Sequence, residues 1–196
     1  MTSRLHRRLG ERRYKRMFVI VAEGTVTEQE YFPLLDEDSI VHVKCLKSKG
    51  NLPPQDALKR VRSYVHKEGL RKKDEAWVVV DRDFWPPQHL AELHAWAQEK
   101  ANYGFALSNP KFEFWLLLHF ESAEGVTTSS DCDNRLANHL RSYNKHIDPH
   151  HFTRERIAQA VERAKERDNP RCQDWPRVAG TTVYRLVQNI LQSGTA

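Results

Sequence analysis

Cysteine is rare in this chain: Cys45, Cys132 and Cys172 are scattered through 196 residues. An odd count without any C-x-x-C pair supplies neither a disulfide framework nor a cysteine zinc site, and reads as three reduced thiols in a cytoplasmic protein. Glycine is also scarce, at eight residues, and a composition 39% hydrophobic and 29% charged excludes the fibrous and disordered classes. No apolar run approaches the roughly eighteen residues that cross a membrane. The start, MTSRLHRRLGERRYKR, lacks an apolar stretch followed by small residues and does not read as a secretory signal. There is no H-E-x-x-H pair for zinc and no G-x-x-x-x-G-K-[ST] loop for a nucleoside triphosphate.

What is present is an uneven charge. Residues 1 to 16 carry seven cations against Glu11, a net of +6, so the formal +5 of the whole chain leaves −1 for the other 180 residues. The basicity therefore belongs to an arm, with Arg7, Arg8, Arg12, Arg13 and Arg16 as its candidate nucleic-acid contacts. Such an arm either draws in phosphate backbones by steering and counterion release or is a solvated tail.

Beyond the arm, hydrophobic patterning sets the organisation. MFVIVA from Met17, IVHVKCL over 40–46, AWVVVD ending at Asp81 and YGFALS ending at Ser108 are apolar runs of strand length. Between them, TVTEQEYFPLL, QDALKRVRSYVHKEGL and QHLAELHAWAQEKAN repeat apolar residues at helical spacing. Thr25 and Glu28 have capping-box spacing at the first of these, and Pro33 limits it. PKFEFWLLLHF predicts a buried helix with Pro110 in its first turn, and further helices are expected at 131–143, 153–169 and 180–192. The alternation predicts an α/β fold: a mostly parallel four-stranded sheet with helices on both faces and a helical C-terminal extension. The expected divisions are a basic arm at 1–16, the α/β unit at 17–125 and the extension at 126–196, packed on the same core.

In such sheets ligands collect beyond the carboxyl ends of the strands, where successive connections diverge. With the second and third strands on opposite sides of the first, Glu23 meets Asp81 and Asp83, whose spacing of two puts both carboxylates on one side while Arg82 points elsewhere. Crowded carboxylates repel by about 4 kcal/mol per close pair at an intermediate dielectric, and a divalent cation removes that penalty. Hard oxygen donors favour Mg²⁺ or Mn²⁺, and an ion that keeps waters and takes substrate phosphate suits phosphodiester cleavage. Gly24 allows close approach of a backbone.

Glu113, one turn into the helix after Asn109, is either a catalytic base or second-metal ligand, or a first-turn acid that merely favours the helix dipole. Lys111 beside it is a candidate phosphate contact. His119 reads as a hydrogen-bonded core residue, and the adjacent His150 and His151 make a poor metal pair. Of the five tryptophans only Trp85, in a Pro-bounded loop, is placed to stack on a substrate base.

The blocks FVIVAEGTVTEQEYF, WVVVDRDFW, ALSNPKFEFWLLLHF and GTTVYRLV occur in order over roughly residues 17 to 192 and resemble the RloB family, linked to prokaryotic restriction and abortive-infection loci. SNPKFEFWLLLHF is the most specific of them. That resemblance implies a Toprim-like (Rossmann-like) fold, in which Glu23 is a metal ligand or general acid/base and Asp81 and Asp83 bind Mg²⁺. Glu28 and Glu113 become candidates for a second ion. It further implies RNA, particularly tRNA, as target, a separately encoded ABC-type or AAA ATPase as partner, and a role in anti-phage defence. The expectation is a metal-dependent endonuclease. The alternatives are a non-catalytic nucleic-acid-binding or ATPase-docking module and a nucleotidyl-transfer enzyme acting on small nucleotides.

Overall fold

A computed structural model describes residues 15–36, 40–47, 50, 52–82 and 85–193. The four expected strands form, as β1 (Arg16–Ala22), β2 (Val41–Cys45), β3 (Glu75–Asp81) and β4 (Tyr103–Asn109). They pair in parallel in the order β2-β1-β3-β4, so β1 lies between β2 and β3 and its connections diverge there. Alternation of side chains sorts each strand onto two faces. Phe18, Ile20, Ala22, Trp77, Val79 and Ala106 join one core, while Val21, Ala76, Val78, Val80, Phe105 and Leu107 join the other. Burial on both faces is why these strands read as unbroken apolar runs.

The second core is covered by α2 (Pro54–Glu68) and α3 (Pro87–Gln98), through Ala57, Leu58, Val61, Leu90, Leu93 and Trp96. On the first face lie α1 (Thr27–Tyr31), α4 (Phe112–Leu117), α5 (Ser129–His139), α6 (Arg154–Arg167) and α7 (Val183–Ser193). Every residue of α4 is buried, as its apolar circumference requires. Gly104 on β4 is needed for close packing: a Cβ there would come within 2.3 Å of the Trp77 ring.

Three expectations are corrected. The sheet has five strands, not four, because Gly180–Thr181 forms β5, antiparallel to β4, and α7 starts only at Val183. The open edge of β4 demands partners for its backbone. Leu107 N–H donates to Thr182 Oγ1 and Thr182 N–H to the Leu107 carbonyl, both at 2.9 Å. Secondly, α1 has no side-chain cap: Val26 occupies the cap position, and the Glu28 carboxylate turns back to accept from Gly24 N–H at 3.2 Å. Pro33 then ends α1, and Phe32–Leu35 tighten into a 3-10 turn. Thirdly, Pro110 precedes α4 instead of entering its first turn, with Lys111 at the cap and a cis peptide bond between Asn109 and Pro110.

Candidate functional site

The carboxyl ends of β1 and β3 adjoin because Ala22 is in register with Val79 and Glu23 N–H donates to the Val79 carbonyl at 3.0 Å. One residue past the strand, the Glu23 side chain crosses to β3, where Oε2 accepts from Asp81 N–H at 3.1 Å. Trp85 Nε1–H reaches both Glu23 oxygens, at 3.1 and 3.3 Å. Glu23 is thereby held in a single orientation and is 6% exposed. Arg82 Nη1–H donates to the Trp85 carbonyl at 2.9 Å. It thus braces the loop that carries the indole.

Glu23 and Asp81 open onto a cavity of about 200 Å³ that also takes Glu28, Glu113, Phe112 and Lys145. The packing of α1 against this strand end brings in Glu28, and the start of α4, directly after β4, brings in Glu113. The close approach allowed by Gly24 is used internally: a Cβ at that position would fall 2.1 Å from Glu28 Oε2. Four of the five acids singled out from the sequence therefore share one pocket, and Asp83 lies outside the described residues.

Three neighbouring groups are set against one another electrostatically. Glu28 is held above the usual carboxylate range, first by burial and then by the charge of Glu113. Burial alone would raise Glu113 as well. The Lys145 ammonium, 2.5 Å from its Oε1, and Tyr143 O–H, donating to the same oxygen at 2.9 Å, bring it below the ordinary range instead. Lys145 is in turn raised: burial, the largest single influence, would lower it, but the hydrogen bond to Glu113 and the charges of Glu113, Asp133 and Asp81 together outweigh that. Cys45, pushed up to about 12 by burial and by Glu28, is a protonated thiol.

Among the described residues no three of His, Cys, Asp and Glu converge closely enough to hold a metal by themselves. A Mg²⁺ ion does not require that, since it binds through one or two carboxylates and completes its shell with water and phosphate. Glu23 and Asp81, adjoining and both oxygen donors, fit that need, and the crowding of Glu28 and Glu113 marks a pocket with more negative than positive charge.

The other expected contacts lie elsewhere or are already engaged. Arg16 sits at the amino end of β1, a strand length of about 20 Å from Glu23. There it ties Lys73, Glu75 and Ser193 together. Lys111 pairs with Asp133 at 2.6 Å. Trp85 spends its N–H on Glu23. Arg7, Arg8, Arg12 and Arg13 lie outside the described residues. His119 is buried, with Nδ1–H donating to the Trp115 and Leu116 carbonyls and Nε2 accepting from Tyr31 O–H, a core residue as expected.

Sequence reasoning missed Lys145, Tyr143 and Thr27. Thr27 Oγ1–H donates to the Lys145 carbonyl at 2.8 Å and lies 2.9 Å from the Tyr143 hydroxyl. The stretch RSYNKHIDPH that carries two of these residues has no periodicity and no motif, and it lies more than a hundred residues from Glu23.

Fold and site together define an α/β protein with an acidic pocket at the carboxyl end of a mainly parallel sheet. The chain belongs to the RloB-like family: the family model described as RloB-like protein matches residues 18–190. No curated protein and no solved structure matches it. None of the described helices is long and apolar enough to cross a membrane.

Proposed function

We propose that this RloB-like chain is a Mg²⁺- or Mn²⁺-dependent endonuclease of Toprim type that cleaves nucleic-acid phosphodiester bonds. The observation that carries this reading is the bond from Asp81 N–H to Glu23 Oε2, which joins residues 58 apart in sequence at a pocket that also takes Glu28 and Glu113. Glu23 and Asp81, with Asp83, are the residues to hold the ion, which when bound polarises the phosphoryl oxygen and stabilises the leaving oxygen.

The remaining roles fall to the chain. The Trp85 and Asp81 N–H groups orient Glu23, so its carboxylate presents a fixed face to the pocket. Glu113, kept deprotonated by Lys145 and Tyr143, is the candidate general base. The basic arm supplies sequence-independent attraction for the polyanion. RNA or tRNA as substrate, a cytoplasmic defence role against phage and an ATPase partner rest on the family resemblance.

Purified protein offered total tRNA and plasmid DNA with Mg²⁺, Mn²⁺ or EDTA tests the proposal. Cleavage is expected only with the metals, and Glu23→Gln and Asp81→Asn should each lower it at least a hundredfold while melting within a few degrees of wild type. Undiminished cutting by both variants, or cutting in EDTA, would overturn the assignment. Binding without cleavage would favour the docking-module alternative.

A further inference from the structure

Residues 140–148 form a strap laid across α1 and fastened at several points. Thr27 holds the Lys145 carbonyl, and Glu30 takes both His146 Nδ1 and the Ile147 N–H, each at 2.8 Å. The result of this fastening is to deliver one ammonium group into the acidic pocket, where Lys145 Nζ meets Glu113 Oε1. Lys145 adopts φ +78°, the left-handed region that a long side chain ordinarily avoids. A strained backbone persists where its surroundings over-determine it, and such positions cluster at functional sites.

The occupied oxygen is the important detail. Glu113 Oε1 takes both the ammonium and the Tyr143 hydroxyl, so a divalent ion seeking that oxygen would have to displace two donors and then tolerate a neighbouring positive charge. Glu23 accepts N–H groups, from the Asp81 backbone and the Trp85 indole, and with Asp81 it brings hard carboxylate oxygens to one end of the sheet, where an ion can be shared with water and phosphate.

We propose that Lys145 is a built-in cation of the pocket, standing on the Glu28–Glu113 side in the place of a second divalent ion, so that the chain binds a single ion at Glu23 and Asp81. This inference rests on reading the pocket as a divalent-ion site. It deepens that reading by naming what balances the remaining two acids: a charge carried on a strap whose backbone is fastened to α1.

The test is a count of Mn²⁺ bound to the full chain by electron paramagnetic resonance and by titration calorimetry. Wild type and Lys145→Arg, which keeps the charge, should each bind one ion per chain. Lys145→Met should bind two, and the second should vanish in the double variant Lys145→Met/Glu113→Gln. Glu23→Gln should weaken the wild-type ion at least tenfold. Circular dichroism melts establish that each variant is folded; if Lys145→Met does not fold, the wild-type and Lys145→Arg counts still decide. Two ions in wild type, or one in folded Lys145→Met, would overturn this inference and leave the metal-site reading standing. No ion in wild type would overturn both.

Discussion

At the scale of single residues, the protein spends buried polar groups in two ways. Glu23 is oriented by neighbours and remains on a cavity, whereas His119 is sealed in the core among Tyr31, Trp115 and Phe152. Burial pushes His119 down to about 3 from an ordinary 6.5, despite the two carbonyls that accept from it. Between those values the unfolded chain binds a proton that the folded chain refuses. The contribution of His119 is therefore complete above pH 6.5 and declines as the pH falls, by up to about 1.4 kcal/mol per pH unit. Denaturant unfolding between pH 7 and pH 4.5 should show wild type losing stability more steeply than His119→Gln, by about one proton. Equal slopes would show that the imidazole titrates in the folded state.

At the scale of elements, caps and close contacts were only partly readable. The capping box expected at Thr25 does not form, because Gly24 leaves room for Glu28 to fold back one residue further. A complete capping box occurs instead at α5, where Thr128 accepts from Asp131 N–H and Asp131 accepts from Thr128 N–H. Thr128→Ala should cost about 1 kcal/mol in chemical denaturation without disturbing the pocket. Gly104→Ala should be worse, by about 1–3 kcal/mol, since its methyl group meets the face of a buried indole instead of a movable side-chain end. Strands β1 to β4 were legible because burial on both faces writes itself into consecutive residues. β5 was not, since two residues leave no pattern and only the open edge of β4 calls for them.

At the scale of the whole molecule, the end of the sheet opposite the pocket is closed by Glu75. Its carboxylate takes the Arg16 guanidinium on one oxygen, and Trp77 Nε1–H and Asn189 on the other, so β1, β3 and α7 converge on one side chain. Arg16, read from the sequence as the last residue of a basic arm, is placed as a clamp. Glu75→Ala leaves three buried or half-buried donors without an acceptor and should cost about 3 kcal/mol, more than Arg16→Ala. Equal, small losses in urea unfolding would show that the cluster is incidental. The clamp also ties the C-terminal helix to the strands that carry Glu23 and Asp81, so its loss is expected to loosen the pocket from the far end.

By itself the sequence determined the alternation of strands and helices, the two-faced burial of the sheet, and the arrival of Glu23 and Asp81 at neighbouring strand ends. These follow from hydrophobic periodicity and from the rules of parallel sheets, which act on runs of residues and so leave a local record. Only the tertiary structure decided that Trp85 would hold Glu23, that Lys145 would meet Glu113, and that a two-residue strand would close the β4 edge. Each of those depends on one side chain or one backbone pair reaching a partner distant along the chain, and a single polar contact imposes no periodicity on the residues around it.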